Sequence, residues 1–398
     1  MRRPAKGRRG FLRFPLRRKK MTAATRKKRI LTKEEQACAR QNLIYLATCA
    51  INDEIADSSR LADVEAVFNV ASYHMLSALV AMTLEKSGIR HAYSLVVIAG
   101  ALRRATLFQQ AFEQIKSELT SAGIWHAALK GAELKAYYPI FGMREMADYD
   151  VLIDSTRAQD VKTIMEKLGF KTEEFGIDCH DIYSKGPRLT FEMHRSLFLP
   201  YLNKEVYEYY ENVQERLVGD GFTKRFTPED FYLYMIAHEH KHYSMEGTGL
   251  RSLVDTCLYL KNERLDMEYV TREAEKMGLA DFEASNRALS TRLFAREKLD
   301  VEESKTLDFF LASGFKGNYL NVVQNGLGKW GKLGYIASRF FIPVSRKNAR
   351  YKSFASRYPT FYKYKLLLPF LPFYRVVRSV MRGRFFAEAK ALKKAKRV

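Results

Sequence analysis

The sequence predicts an α/β fold, a small α+β sheet domain flanked by helical N- and C-terminal regions. Three observations carry this. From Lys33 to Ser87 there is no glycine or proline, and apolar residues recur at helical spacing. Between about 110 and 200 the texture changes to short apolar runs separated by turn residues. From Pro228 to about Ala312 the helical pattern returns.

Taken in order, residues 1–30 read as a basic, disordered tail and 31–109 as a helical N-terminal region. Stretches such as VFNVASYHMLSALVAMTLEKSG and ATLFQQAFEQIKSELTSAG have helical periodicity and stop at glycine. Residues 110–225 form the sheet domain. Its strands include IWHAAL (124–129) and YDVLI (149–153), with the short helix AELKAYY between them, ended by Pro139. RAQDVKTIMEKLG is an amphipathic helix, and FKTEEF, DIYSK and RLTFEMHRSL then alternate like antiparallel strands, with KGPR as a turn. Residues 226–313 form a helical domain, and 314–398 a basic C-terminal region with an amphipathic helix.

The net charge of +22 is unevenly placed. Residues 1–30 hold fourteen Lys/Arg and no acid, and after Asp308 there are twenty Lys/Arg against Glu388 alone. The middle is therefore net acidic, unlike a centre that grips a nucleic-acid backbone. Four scattered cysteines without a CxxC pair argue against a disulfide framework and fit a cytoplasmic protein whose thiols are small buried hydrophobes. No apolar run reaches the roughly 20 residues of a membrane span. The N-terminus lacks the apolar core of a secretory signal.

Asp148 and Asp150 are two residues apart, so a strand starting at Tyr149 projects both carboxylates from one face. Hard divalent cations want such oxygen ligands and leave room for substrate phosphates. Glu192 lies inside the strand LTFEMHR and becomes a third acid if that strand runs beside the first. Gly131 follows a strand and opens a short helix whose free N–H groups suit phosphate oxygens. Lys130 and Arg144 supply charge to neutralise a triphosphate.

On these residues the chain resembles the polymerase-β-like nucleotidyltransferase superfamily, and more narrowly an uncharacterised bacterial nucleotidyltransferase group. The resemblance rests on LKGAELKAYYP, Arg144, DYDVLI and FEMHRSL, and extends to HEHKHYS and LRSLVDTCLYL. It implies a palm-like domain in which Asp148, Asp150 and Glu192 hold Mg²⁺ or Mn²⁺, with Lys130, Gly131 and Arg144 at the nucleotide. The implied reaction moves a nucleoside monophosphate from a triphosphate such as ATP to an unidentified hydroxyl-bearing acceptor, by a two-metal displacement. The superfamily has Gly-Ser where this chain has Gly131-Ala132, so the phosphate ligand falls to Lys130. His194, His238, His242 and Asp255 are candidates for substrate contact or structure.

Two other readings compete. His238-Glu239-His240-Lys241-His242 matches HExxH, which on a helix is the zinc site of a metallopeptidase. The alternative to an enzyme is a palm-fold scaffold that binds membrane or RNA through its basic ends. In the C-terminal helix Val376, Val377, Val380 and Met381 stand amid Arg375, Arg378, Arg382 and Arg384, as in a helix lying on an anionic membrane.

Overall fold

A computed structural model describes residues 30–315, 317–348, 350–381 and 383–395. The basic tail expected over 1–30 lies outside these apart from Ile30. Helices α1 (Lys33–Ile51), α2 (Val64–His74), α3 (Ser77–Lys86) and α4 (Ala92–Ser121) come first. The start of α1 is set by a capping box. Thr32 Oγ1 accepts the Glu35 N–H and the Glu35 carboxylate accepts the Thr32 N–H. At 30 residues α4 is about 45 Å long. Val97, Ile98 and Ala101 pack on the helical core, whereas Phe108, Ala111, Ile115 and Leu119 recur every three or four residues and pack on the sheet. One helix thus joins the two layers.

The sheet that follows contains β1 (His126–Ala128), β2 (Tyr149–Ile153), β3 (Lys171–Glu174), β4 (His180–Lys185), β5 (Leu189–His194), β6 (Leu217–Val218) and β7 (Thr223–Phe226). Helices α5 (Gly131–Leu134), α6 (Ala158–Lys167) and α7 (Lys204–Tyr209) lie between strands. The strand order is β3-β4-β5-β2-β1-β7-β6. β2 runs parallel to β5 and β1 parallel to β7, and the other neighbours are antiparallel.

Alternation along the two central strands fixes their faces. Tyr149, Val151, Ile153, Phe191 and Met193 are buried in one cluster with Phe108 of α4 and Val161 of α6. Each such side chain contributes about 1.5–3 kcal/mol on full burial. Asp150, Leu152, Glu192 and His194 therefore point the other way, towards the helices that follow.

Those helices are α8 (Pro228–Met245), α9 (Leu250–Asn262), α10 (Met267–Lys276), α11 (Ala280–Phe294) and α12 (Val301–Ser313). Thr227 caps α8 by accepting the Asp230 N–H, with Pro228 at the first position. The helical stretches before and after the sheet share one core, in which Leu43, Phe68 and Leu79 meet Leu253, Leu289 and Phe310. This brings α9 against the sheet's open face.

The C-terminal region contains α13 (Tyr319–Phe340, two segments meeting at Gly331), α14 (Tyr351–Arg357), α15 (Pro359–Lys363), α16 (Leu371–Met381) and α17 (Arg384–Ala395). Among the described residues, no helix is long and apolar enough to cross a membrane.

His74, at the end of α2, has no solvent exposure, and its Nδ1 accepts the Leu250 N–H of α9 at 3.2 Å. Burial, helped by Arg40, holds its imidazole down at about 4, against about 6.5 in the unfolded chain. The folded state then takes up its proton later than the unfolded one. This contribution to stability is intact above pH 6.5 and is lost as pH falls towards 4. Denaturant titrations should show a decline of about 3 kcal/mol over that window that is missing in His74→Asn; equal slopes would contradict this.

Candidate active site

The site begins where β1 turns into α5. Leu129 donates its N–H to the Asp150 carbonyl at 3.0 Å, which ties this turn to β2. Lys130 then adopts φ 47°, ψ −122°, an arrangement rare outside glycine and costing about 1–3 kcal/mol. The strain turns its side chain back over the sheet, and Nζ lies 2.7 Å from Asp150 Oδ1. Gly131 is required by packing, since a Cβ there would collide with Arg144 Nη1.

Asp150 is the hub. It sits directly opposite Glu192 in the parallel β2–β5 register, and its Oδ1 also lies 2.8 Å from His194 Nε2. Burial alone would raise its carboxyl, but Lys130 and His194 outweigh burial and hold it well below the carboxylate range. His194 is pushed down by burial and by Lys130, yet the neighbouring Asp150, Cys179 and Glu192 outweigh them and raise it to about 10. Glu192 is likewise lowered, with burial opposed by His194. Asp148 responds in the opposite sense: burial first, then the charges of Asp150 and Glu192, push its carboxyl up to about 6.

These groups line a cavity of about 540 Å³ between the sheet and helices α8 and α9, within the usual size range of small-molecule sites. The donors fit a divalent cation on two counts. Asp150, Glu192 and His194 offer ligand atoms within 4.8 Å of one another, and Asp148, raised by burial and then by the charges of Asp150 and Glu192, adds a carboxyl to the same cavity that a cation would help ionise.

Arg144 lines the same cavity, and its immediate partner is Asp255. Its Nε and Nη2 donate to the two oxygens of Asp255 at 2.8 and 2.7 Å, and Tyr138 donates to the same carboxylate at 2.7 Å. Both members of the pair are buried, so its first role is to hold α9 on the loop before β2. Lys241 and Arg251 also face the cavity. Lys241 was not singled out in the sequence, because helical position alone does not say which lysine points at a sheet.

His238 and His242 stand on the cavity side of α8, with Nε2 atoms 3.2 Å apart and His242 Nδ1 2.8 Å from Glu246. Among the described residues, no cluster of three or more metal-ligating groups includes either histidine. The HExxH glutamate, Glu239, is buried near Ser252 and Asn286, and burial pushes its carboxyl up to about 7. The motif thus lacks the third ligand of a metallopeptidase site in this arrangement.

A family model described as "Uncharacterised nucleotidyltransferase" matches residues 60–295. The chain belongs to that nucleotidyltransferase family. No curated protein and no solved structure matches it. The matched stretch runs from just before α2 through the whole sheet to the end of α11, so the nucleotidyltransferase domain includes both walls of the cavity.

Two further residues of this domain were missed. His180 pairs across β4–β5 with His194, and its Nε2 lies 3.6 Å from Glu192. Cys179 beside it was read as a plain small hydrophobe. The available signal was the KGPR turn, which pairs position 185 with 189 and by counting back sets 180 opposite 194.

Gly131→Ala should displace Arg144 and lower stability by about 2–4 kcal/mol. Since Arg144→Ala already breaks the Asp255 pair, the double variant should be markedly sub-additive in denaturation. Full additivity would mean that the glycine serves something else.

Proposed function

We propose that this protein is a Mg²⁺-dependent nucleotidyltransferase that moves a nucleoside monophosphate from a nucleoside triphosphate to a hydroxyl-bearing acceptor. The observation that carries the reading is the gathering of Asp148, Asp150 and Glu192 on one cavity wall beside Lys130. A divalent cation bound by these acids would neutralise triphosphate charge and lower the pKa of the acceptor hydroxyl. Asp150, kept ionised by Lys130 and His194, is ready as an oxygen donor at neutral pH. Lys130, and behind it Lys241, put positive charge where a triphosphate would enter. The acceptor oxygen attacks the α-phosphorus, the bond to the bridging oxygen breaks, and pyrophosphate leaves. The hydroxyl proton passes to Glu192.

Asp150 makes a poor test by itself, because removing its charge leaves Lys130 and His194 without their partner. Asp148→Asn and Glu192→Gln are better. Incubation with α-labelled nucleoside triphosphates and cell extract should label an acceptor with wild type. Each variant should lower that transfer by more than about 10²-fold while melting normally. Unchanged labelling in both would sink the assignment.

The second part of the reading is cytoplasmic, with peripheral contact to an anionic membrane surface. Its support is α16 and its flanks. Phe370, Phe373, Val377 and Met381 are exposed, and Arg375 and Arg378 lie among them in a region with a single acid. Vesicles containing phosphatidylglycerol should co-sediment the protein at low salt and release it at high salt. Val377→Ser with Met381→Ser should weaken binding by about tenfold or more. Retention of RNA in preference to vesicles would favour a nucleic-acid partner instead.

A further inference from the structure

Beside the carboxylates lies a second group of donors, of softer chemistry, which nucleotidyl transfer leaves unused. His180 and His194 are directly opposed on antiparallel β4 and β5, so their rings share a face, with centroids 4.9 Å apart. Cys179 immediately precedes β4. Its carbonyl accepts the N–H groups of Arg195 at 2.8 Å and Ser196 at 3.2 Å, which anchors it at the end of β5. Its Sγ lies 3.4 Å from His180 Nδ1. One donor atom each from Cys179, His180 and His194 fall within 4.8 Å of one another.

The two rings are oriented alike. His194 Nε2 faces Asp150 at 2.8 Å and Glu192 at 3.6 Å, and His180 Nε2 faces Glu192 at 3.6 Å. That leaves Nδ1 of each ring for the cysteine side. His194 is 3% exposed, and its Nδ1 is buried without a hydrogen-bond partner. An orphaned ring nitrogen of this kind calls for a ligand. Because Nε2 is committed to carboxylates, Nδ1 is the nitrogen left for a metal, which would displace its proton and take its lone pair.

We propose that Cys179, His180 and His194 bind a zinc ion through one sulfur and two imidazole nitrogens, adjoining the carboxylate site and sharing His194 with it. Tetrahedral Zn–S and Zn–N bonds place sulfur and nitrogen ligands about 3.5 Å apart, close to the 3.4 Å between Cys179 and His180. A thiolate with two imidazoles selects zinc over magnesium, while the neighbouring acids do the reverse. Three protein ligands leave the fourth position open. Zinc binding here is independent of whether the domain transfers nucleotides.

The test uses the full chain, stripped with a chelator and kept in excess Mg²⁺ to load the acids, then titrated with Co²⁺ as a spectroscopic substitute for zinc. A thiolate-to-cobalt band should grow to one Co²⁺ per chain and disappear when Zn²⁺ is added. Cys179→Ser should abolish it, and His180→Ala should weaken binding by more than about tenfold. X-ray absorption of the zinc-loaded wild type needs no variant and should show one sulfur and two imidazole nitrogens. No thiolate band in the wild type, a band that survives in Cys179→Ser, or a zinc shell without sulfur each overturns the site.

Discussion

The pairing of β2 with β5 is the constraint on which the rest of this domain depends. Side chains alternate along a strand, so a slip of one residue would send every one of them to the opposite face. Here the apolar set of Tyr149, Val151, Ile153, Phe191 and Met193 can be buried only against α4 and α6. With that face filled, Asp150 and Glu192 have no choice but to meet on the other. The acids are held together by the hydrophobic demand of the residues between them, against their own repulsion. Burial first, and then that repulsion, raises the Asp148 carboxyl.

The charges around the acids complete the arrangement. A buried ion pair adds little net stability, because desolvation offsets much of its attraction. Its effect is geometric: each charge must stay where its partner is. Lys130 is held over Asp150 by a strained turn, and Arg144 is clamped across Gly131 by both oxygens of Asp255. The second clamp joins the sheet domain to α9, so the cavity's two walls are fixed relative to each other. The same logic separates the two kinds of donor at the β5 end. Hard oxygens gather around Lys130, and sulfur and nitrogen around the far edge of His194.

The helical regions show a different dependence. Before and after the sheet they are far apart in sequence, yet Leu43 and Phe68 share a core with Leu253 and Phe310. Periodicity showed the helical regions and their apolar stripes. It could not show which stripes would meet, since any two amphipathic helices offer similar surfaces. The family relationship supplied the name of the chemistry, and the packing supplied its setting.

Much of the fold was legible because its signals are local. Gly88, Gly123 and Gly169 lie just past helix ends, KGPR closes the β4–β5 hairpin, and Thr227-Pro228 opens α8. The site was legible in part for the same reason: the spacing of Asp148 and Asp150 follows from strand geometry alone. Gly131 was noticed at the start of its helix, but that a Cβ there would meet a guanidinium thirteen positions later could not be read locally. Arg144 looked like a free cation because its partner, Asp255, lies over a hundred residues away. Cys179 looked inert because nothing near it in sequence except His180 marks it out. By itself, then, the sequence determined the order of the helical and sheet regions, the two central strands and the acids they carry. Tertiary structure decided which acid faces which, which charges are already paired, and where the orphaned nitrogen of His194 points. Those are properties of contacts between distant segments, set by burying one face of a sheet, and no local pattern encodes them.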